Sequence, residues 1–137
     1  MSKKNITTKT KDTATFIAKL ADDKIASDII MMDLSTYEDS PADVFIICTS
    51  DSSVQSVAIL DHIRRECRKS GLNRPKVEGD KNSDWILIDF FDVVVHIMNK
   101  ESRAFYKIEH CWKDAVFYKY SNNTGKFRKD NKYLEGV

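Results

Sequence analysis

The chain has few cysteines, no CxxC pair, no long apolar run and no excess of one charge. Each absence removes a class of protein. The three cysteines, Cys48, Cys67 and Cys111, are odd in number, widely spaced and each set in an apolar pattern. They read as buried thiols rather than as a disulfide or metal framework. The longest apolar runs, such as residues 44–48, are far too short to cross a membrane. The basic start, MSKKNITTKTK, has no apolar segment behind it, which predicts a cytoplasmic protein without a signal peptide. A formal net charge of +1 argues against a dedicated nucleic-acid binder and leaves room only for local basic patches. The loop Ser50-Asp51-Ser52-Ser53 holds no glycine, so the glycine-rich cradle of a phosphate site is missing. No internal repeat is present, and no cofactor is expected. At 137 residues the chain is long enough to bury one genuine core.

What is present concentrates in residues 85–115. Two apolar strands meet at a tight turn. The first alternates Ile86, Ile88 and Phe90 against Trp85, Leu87 and Asp89. With Phe91-Asp92 as the turn, the second alternates Val93, Val95 and Ile97 against Val94, His96 and Met98. Strand side chains alternate faces, so this register pairs Phe90 with Val93, Ile88 with Val95 and Ile86 with Ile97 on one dry face. The other face mixes Trp85, Leu87, Val94 and Met98 with Asp89 and His96. Such a half-apolar, half-charged face needs a partner, from this chain or another.

The remaining chain reads as helix, strand, strand, helix, strand, hairpin, helix. Phe16, Ile17, Leu20 and Ala21 form a helical stripe from Asp12 onward. Residues 25–34 and 43–48 read as strands, the second apolar on both faces and therefore central. Ser52 followed by Gln55 fits a capping box, opening a helix that turns Val57, Leu60, Ile63 and Cys67 inward and stops near Gly71. A short strand at 76–78 follows, and a parallel crossover from 43–48 is expected. The last helix is predicted over 100–117, with Phe105, Ile108, Trp112 and Ala115 along one face. These elements predict an α/β (α+β) fold, a mixed sheet of about five strands flanked by helices. One domain, 12–117, is expected between a flexible arm, 1–11, and a flexible tail, 118–137.

Several constellations invite chemistry. Asp89 and Asp92 lie near the hairpin tip and suggest a metal pair, but Asp92 falls in the turn while Asp89 points to the mixed face. Turn formation is the plainer reading. His62, His96 and His110 share no short spacing, so ordinary hydrogen-bonded or solvent-facing histidines are expected. Cys48 and Cys111 offer nucleophiles by residue type only, and both look buried. Arg64, Arg65 and Arg68 on the middle helix are able to meet phosphate, although a solvated face is commoner and a helix C-terminus favours cations anyway. Phe105, Tyr106 and Trp112 read as core. Trp85, on the mixed face opposite Met98, is of the type enriched at interfaces.

The ordered motifs resemble the ribosomal silencing factor family, also called Iojap-like. They are Asp28-Ile29-Ile30, residues 43–49, the serine-rich cap with Gln55, Val77-Glu78-Gly79, Trp85, Asp89, residues 92–96 (DVVVH), residues 103–106 (RAFY) and residues 112–115 (WKDA). The resemblance spans roughly residues 14–115, and it is the ordered combination that is specific. It implies a nucleotidyltransferase-like fold without the catalytic residues. It also implies binding to protein fourteen of the large ribosomal subunit, on the face that meets the small subunit. Joining of the subunits is thereby blocked and translation repressed when nutrients are short. Some relatives act in organelles as large-subunit assembly factors, and members tend to be homodimers off the ribosome.

Two departures stand out. The family carries glycine at the hairpin turn, where this chain has Phe91; a phenylalanine disfavours positive φ, so a type I turn or another register is expected. The family also has a glycine in the loop before the middle helix, replaced here by Thr49-Ser50-Asp51.

Together these readings predict a non-enzymatic binding module. Trp85, Phe90 and Met98 are expected to supply apolar contacts to the ribosomal protein. Asp89, Asp92 and Glu78 are expected to meet its basic side chains. Minor ribosomal RNA contacts remain open through the arginines. The rival reading is a nucleotidyltransferase-like enzyme using Asp89 and Asp92 with a metal.

Overall fold

Helix α1 (Thr8–Asp23) begins where the Thr7 side chain accepts the Thr10 backbone N–H, satisfying one of the helix's free donors. The computed structural model describes residues 6–137. The expected arm, 1–11, falls partly outside them. Its described end is not an arm, because Thr8 to Lys11 already form the first turn of α1.

Strands β1 (Ser27–Asp33) and β2 (Val44–Ser50) follow, then helix α2 (Ser53–Lys69), β3 (Lys76–Glu78), β4 (Trp85–Asp89), β5 (Val93–Asn99), helix α3 (Lys100–Tyr106), β6 (Val116–Ser121) and β7 (Lys126–Lys129). They form one seven-stranded mixed sheet in the order β3-β4-β5-β2-β1-β6-β7. The α/β class is as expected, with more strands than the sequence pattern suggested. Only β2 and β5 pair in parallel; the other neighbours are antiparallel. The parallel partner of β2 is thus β5, not the segment at 76–78. Fully buried β2 takes the central position, as expected, with the almost wholly buried β5 beside it, while three-residue β3 is left at the edge. The hairpin keeps the expected register, with Ile88 opposite Val95 and Ile86 opposite Ile97.

The α2 start is a variant of the expected capping box. Ser52 accepts from the Gln55 N–H at 3.1 Å. The Gln55 side-chain oxygen accepts from Asp51 N at 2.6 Å, one residue earlier than the usual partner. Its Nε2 donates to the carbonyls of Lys24 and Ile25, tying α2 to the end of α1. Both helices pack on one side of the sheet, over Ile46, Ile86, Ile88, Val95 and Ile97. Ile17, Ile59 and Ile63 are fully buried there. Each such side chain contributes about 1.5–3 kcal/mol by leaving water. A second apolar cluster, with Ile30, Met32, Phe45, Ile47, Val94, Met98 and Phe117, occupies the opposite side.

Two expectations fail in the C-terminal third. The helix expected over 100–117 stops at Tyr106. Lys107 turns left-handed at φ 46°, and a 3-10 turn over Ile108–Cys111 follows. A continuous helix would place Arg103 and Glu109, six residues apart, on different faces. The break folds buried Glu109 back over buried Arg103, Oε2 to Nε at 3.5 Å. The tail expected to be flexible, 118–137, instead supplies most of β6 and all of β7. Its Tyr133 is buried, stacks on Phe117 at 5.3 Å and accepts from Arg103 Nη2 at 3.0 Å.

Candidate protein-docking surface

The site grows from strand registry. Trp85 faces Met98 across β4–β5, Leu87 faces His96 and Asp89 faces Val94. On the other side of β4, Glu78 pairs with Leu87 and Lys76 with Asp89. Paired residues share a face, so Trp85, Leu87, Asp89, Glu78 and Lys76 all lie on the side opposite α1 and α2. Burial grades across this side. Glu78 and Lys76 at the edge are exposed, Trp85, Leu87 and Asp89 are half-buried, and Val94, His96 and Met98 are buried.

Helix α3 brings two more aromatics to Trp85. Its cap residue Asn99 accepts the Ser102 N–H at 2.8 Å and donates through Nδ2 to Asp84 Oδ1 at 3.0 Å. Ser102 Oγ donates to the Asp84 carbonyl at 3.3 Å, and Asn99 N to the same carbonyl at 3.1 Å. These bonds pin the start of α3 to the residue before β4. Tyr106 therefore packs on Trp85 at 5.1 Å, and Phe105 packs edge-on against Tyr106 at 4.9 Å. Phe105 is 78% exposed and Tyr106 53%. Both were expected in the core; the early stop of α3 leaves them outside. A recess of about 560 Å³ lies between Trp85, Ser102, Phe105 and Tyr106, with Asp84 and Glu101 on its rim.

Trp85 is held from behind. Its indole Nε1 donates to His96 Nδ1 at 3.0 Å. Burial holds the His96 pKa down to about 4, so the ring is neutral near pH 7. With Nδ1 accepting, the proton resides on Nε2. His96 also meets Phe45 edge-on at 4.5 Å.

The six expected contact residues separate. Trp85, Asp89 and Glu78 share the face described above. Met98 is fully buried, so it supports Trp85 from below rather than touching a partner. Phe90 lies on the opposite side, packed against the helix-covered core, because it is one residue out of phase with Asp89. Asp92 is exposed in the turn, where its carbonyl accepts from Asp43 and Val44 N–H groups.

The proposed metal pair has another use as well. Asp89 Oδ1 accepts the Phe91 N–H at 2.7 Å, bracing the turn. Among the described residues, no three His, Cys, Asp or Glu side chains converge as metal ligands. Cys48 and Cys67 are buried, their thiols pushed up to about 12 and about 11, chiefly by desolvation. Cys111, expected to be buried, is exposed.

Sequence reading missed Phe105 and Tyr106 as surface residues. Their adjacency was the available signal, since one helix stripe does not bury two consecutive residues equally.

Helices α1 and α2 thus cover one side of the mixed sheet, and the aromatic patch lies on the other. The family model described as "Ribosomal silencing factor during starvation" matches residues 7–134. The ribosomal silencing factor RsfS of Bacillus subtilis is 38% identical over 98 residues, 72% of this chain and 82% of that protein. Its counterpart in Haemophilus influenzae is 35% identical over 97 residues, 71% of this chain and 94% of that protein. A crystal structure of a Chromobacterium violaceum protein superposes with a TM-score of 0.68 at 30% identity, covering 74% of this chain and 85% of that one. The chain belongs to the ribosomal silencing factor family.

Proposed function

We propose that this protein binds the large ribosomal subunit through its protein fourteen and sterically blocks joining with the small subunit, repressing translation. The observation that carries the reading is the aromatic patch in which exposed Tyr106 and Phe105 pack outward from half-buried, hydrogen-bonded Trp85. Monomeric surfaces rarely leave aromatics clustered in this way, and Trp and Tyr are enriched among residues that dominate binding energy. Leu87 extends the apolar area toward the β3 edge. Asp84 and Glu101 border it, and Glu78 and Asp89 lie further along the same face with Lys76 beside them, a surplus of negative charge suited to a basic partner and favouring register and association rate. Inhibition then needs only bulk placed where the small subunit docks.

The enzyme reading, with Asp89 and Asp92 on a metal, has weaker support because the Asp89 carboxylate already serves the hairpin turn. The direct test is titration of isolated ribosomal protein fourteen with the full chain by calorimetry. Trp85→Ala is expected to weaken binding by over about 1 kcal/mol. A folded Trp85→Ala variant of unchanged affinity would remove the patch from the interface.

A further inference from the structure

The C-terminal end of α2 holds a second surface of different chemistry. Gly71, at φ 82°, reverses the chain there. Gly71 N donates to Arg68 O at 3.1 Å and Leu72 N to Cys67 O at 3.0 Å, the two bonds of a Schellman cap. The reversal carries Asn73, Arg74 and Pro75 back alongside α2. Arg74 thus joins Arg64 and Arg68, which sit one turn apart on the helix. The three arginines line one cavity of about 310 Å³, together with Leu72, Asn73 and Pro75.

No carboxylate lines this cavity, and among the described residues none of these arginines makes an ion pair. The nearby polar groups pair elsewhere: His62 is hydrogen-bonded to Asp23, and both Arg65 and Lys69 pair with Glu66. Three guanidiniums around one cavity repel one another unless an anion neutralises them. Arginine's planar fork suits the tetrahedral oxygens of phosphate. Arg64 is half-buried and Arg68 and Arg74 are exposed, so the anion would sit at the surface.

We infer that Arg64, Arg68 and Arg74 form a docking site for a backbone phosphate of RNA. The cavity has no aromatic wall on which a base or nucleoside would stack, and of its two apolar side chains, Leu72 and Pro75, Leu72 packs inward against the core. Those features favour sequence-independent backbone contact over nucleotide or lipid recognition. RNA as the source of the phosphate rests on the ribosomal reading above; the anion site itself does not. Arg65, expected from sequence to share the role, is not part of the cavity.

The test titrates the full chain with a short unstructured oligouridylate and, separately, with inorganic phosphate, following arginine Nε–H resonances. RNA is expected to shift the signals of Arg64, Arg68 and Arg74. The R64Q/R68Q/R74Q variant is expected to bind about tenfold more weakly, with a salt slope shallower by roughly 0.7 for each phosphate that is no longer neutralised. R65Q serves as a charge control and W85A as a control for the aromatic patch; both are expected to keep RNA affinity. Amide spectra and melting temperature verify that each variant folds. The inference is overturned if the triple variant binds RNA like the parent. It is equally overturned if RNA gains nothing over inorganic phosphate, which would indicate a free-anion site. Because no ribosomal protein is present, this result and the W85A result on protein fourteen succeed or fail separately.

Discussion

The indole N–H of Trp85 donates to Nδ1 of His96 at 3.0 Å, so a half-buried tryptophan at the rim of the sheet is anchored by a buried, neutral histidine. This bond joins the stability of the fold to the orientation of the proposed docking surface.

A pH dependence follows. Burial lowers His96 from 6.5 to about 4, so between those values the unfolded chain binds the proton and the native ring does not. The contribution of neutral His96 is therefore complete above about pH 6.5 and is lost progressively as pH falls toward 4. The full span corresponds to about 3 kcal/mol. Protonation also sets one N–H against another at Trp85. Denaturant unfolding across this window is expected to show a steeper loss of stability in the parent than in His96→Phe. Equal slopes would remove His96 as the cause.

Phe105 and Tyr106 should separate binding from folding. Phe105→Ala is expected to change stability by no more than about 0.5 kcal/mol, since that side chain is largely in solvent. Tyr106→Ala is expected to weaken binding to protein fourteen by more than about 1 kcal/mol, because Tyr106 braces Trp85 as well as offering its own surface. Calorimetry on folded variants reads both, and full affinity in the double variant would contradict the assignment.

Strain is stored at two turns. Phe91 takes φ 79°, with Asp92 N donating to Phe90 O at 3.1 Å, a three-residue turn. The expected change of turn type or register does not occur; Phe91 takes the unfavourable angle and Asp89 braces it. Ile25 takes φ 64° at the end of α1, where Ala26 N donates to Ala21 O at 3.1 Å in a Schellman arrangement. β-Branched and aromatic residues both resist this region. Phe91→Gly and Ile25→Gly are each expected to stabilise by up to about 1 kcal/mol, the relief of strain exceeding glycine's entropy cost. Loss of stability in both variants would show that the turns are not strained.

The buried Arg103 cluster should be the most sensitive polar feature. Arg103 donates to Asp28 O at 2.6 Å, Thr49 Oγ1 at 2.8 Å and Tyr133 OH at 3.0 Å, and pairs with Glu109. Arg103→Ala leaves Glu109 buried without its partner and is expected to cost about 3–5 kcal/mol. Tyr133→Phe keeps the stacking on Phe117 and is expected to cost about 1–2 kcal/mol. Thermal unfolding of the two variants should preserve that ranking; equal, small effects would contradict it.

Periodicity revealed the hairpin because its pairing is local: alternation in β4 and β5 and a short turn leave one register that buries Ile86, Ile88, Val95 and Ile97 together. The Ser52 cap and the Gly71 reversal likewise act within a few residues of themselves, whereas the bonds from Gln55 to Lys24 and Ile25 span about thirty residues and were not legible. The helix expected over 100–117 failed for a nonlocal reason. Arg103 reaches Asp28, Thr49 and Tyr133, distant in sequence, and that network sets where α3 ends. The same network anchors a tail that looked too polar to pack. The place of Trp85 on the mixed strand face, opposite Met98, was legible from the alternation. Tyr106 and Phe105 were not, since their exposure depends on the break at Lys107. Arg74 escaped notice because only the chain reversal at Gly71 brings it beside Arg64 and Arg68.

The measurement that tests the central claim most directly is sedimentation of the full chain with separated ribosomal subunits and with a joining mixture. Co-migration with large subunits alone, together with fewer joined ribosomes, is the predicted result. Absence of co-migration at both low and moderate salt, or binding that leaves the joined fraction unchanged, would contradict it.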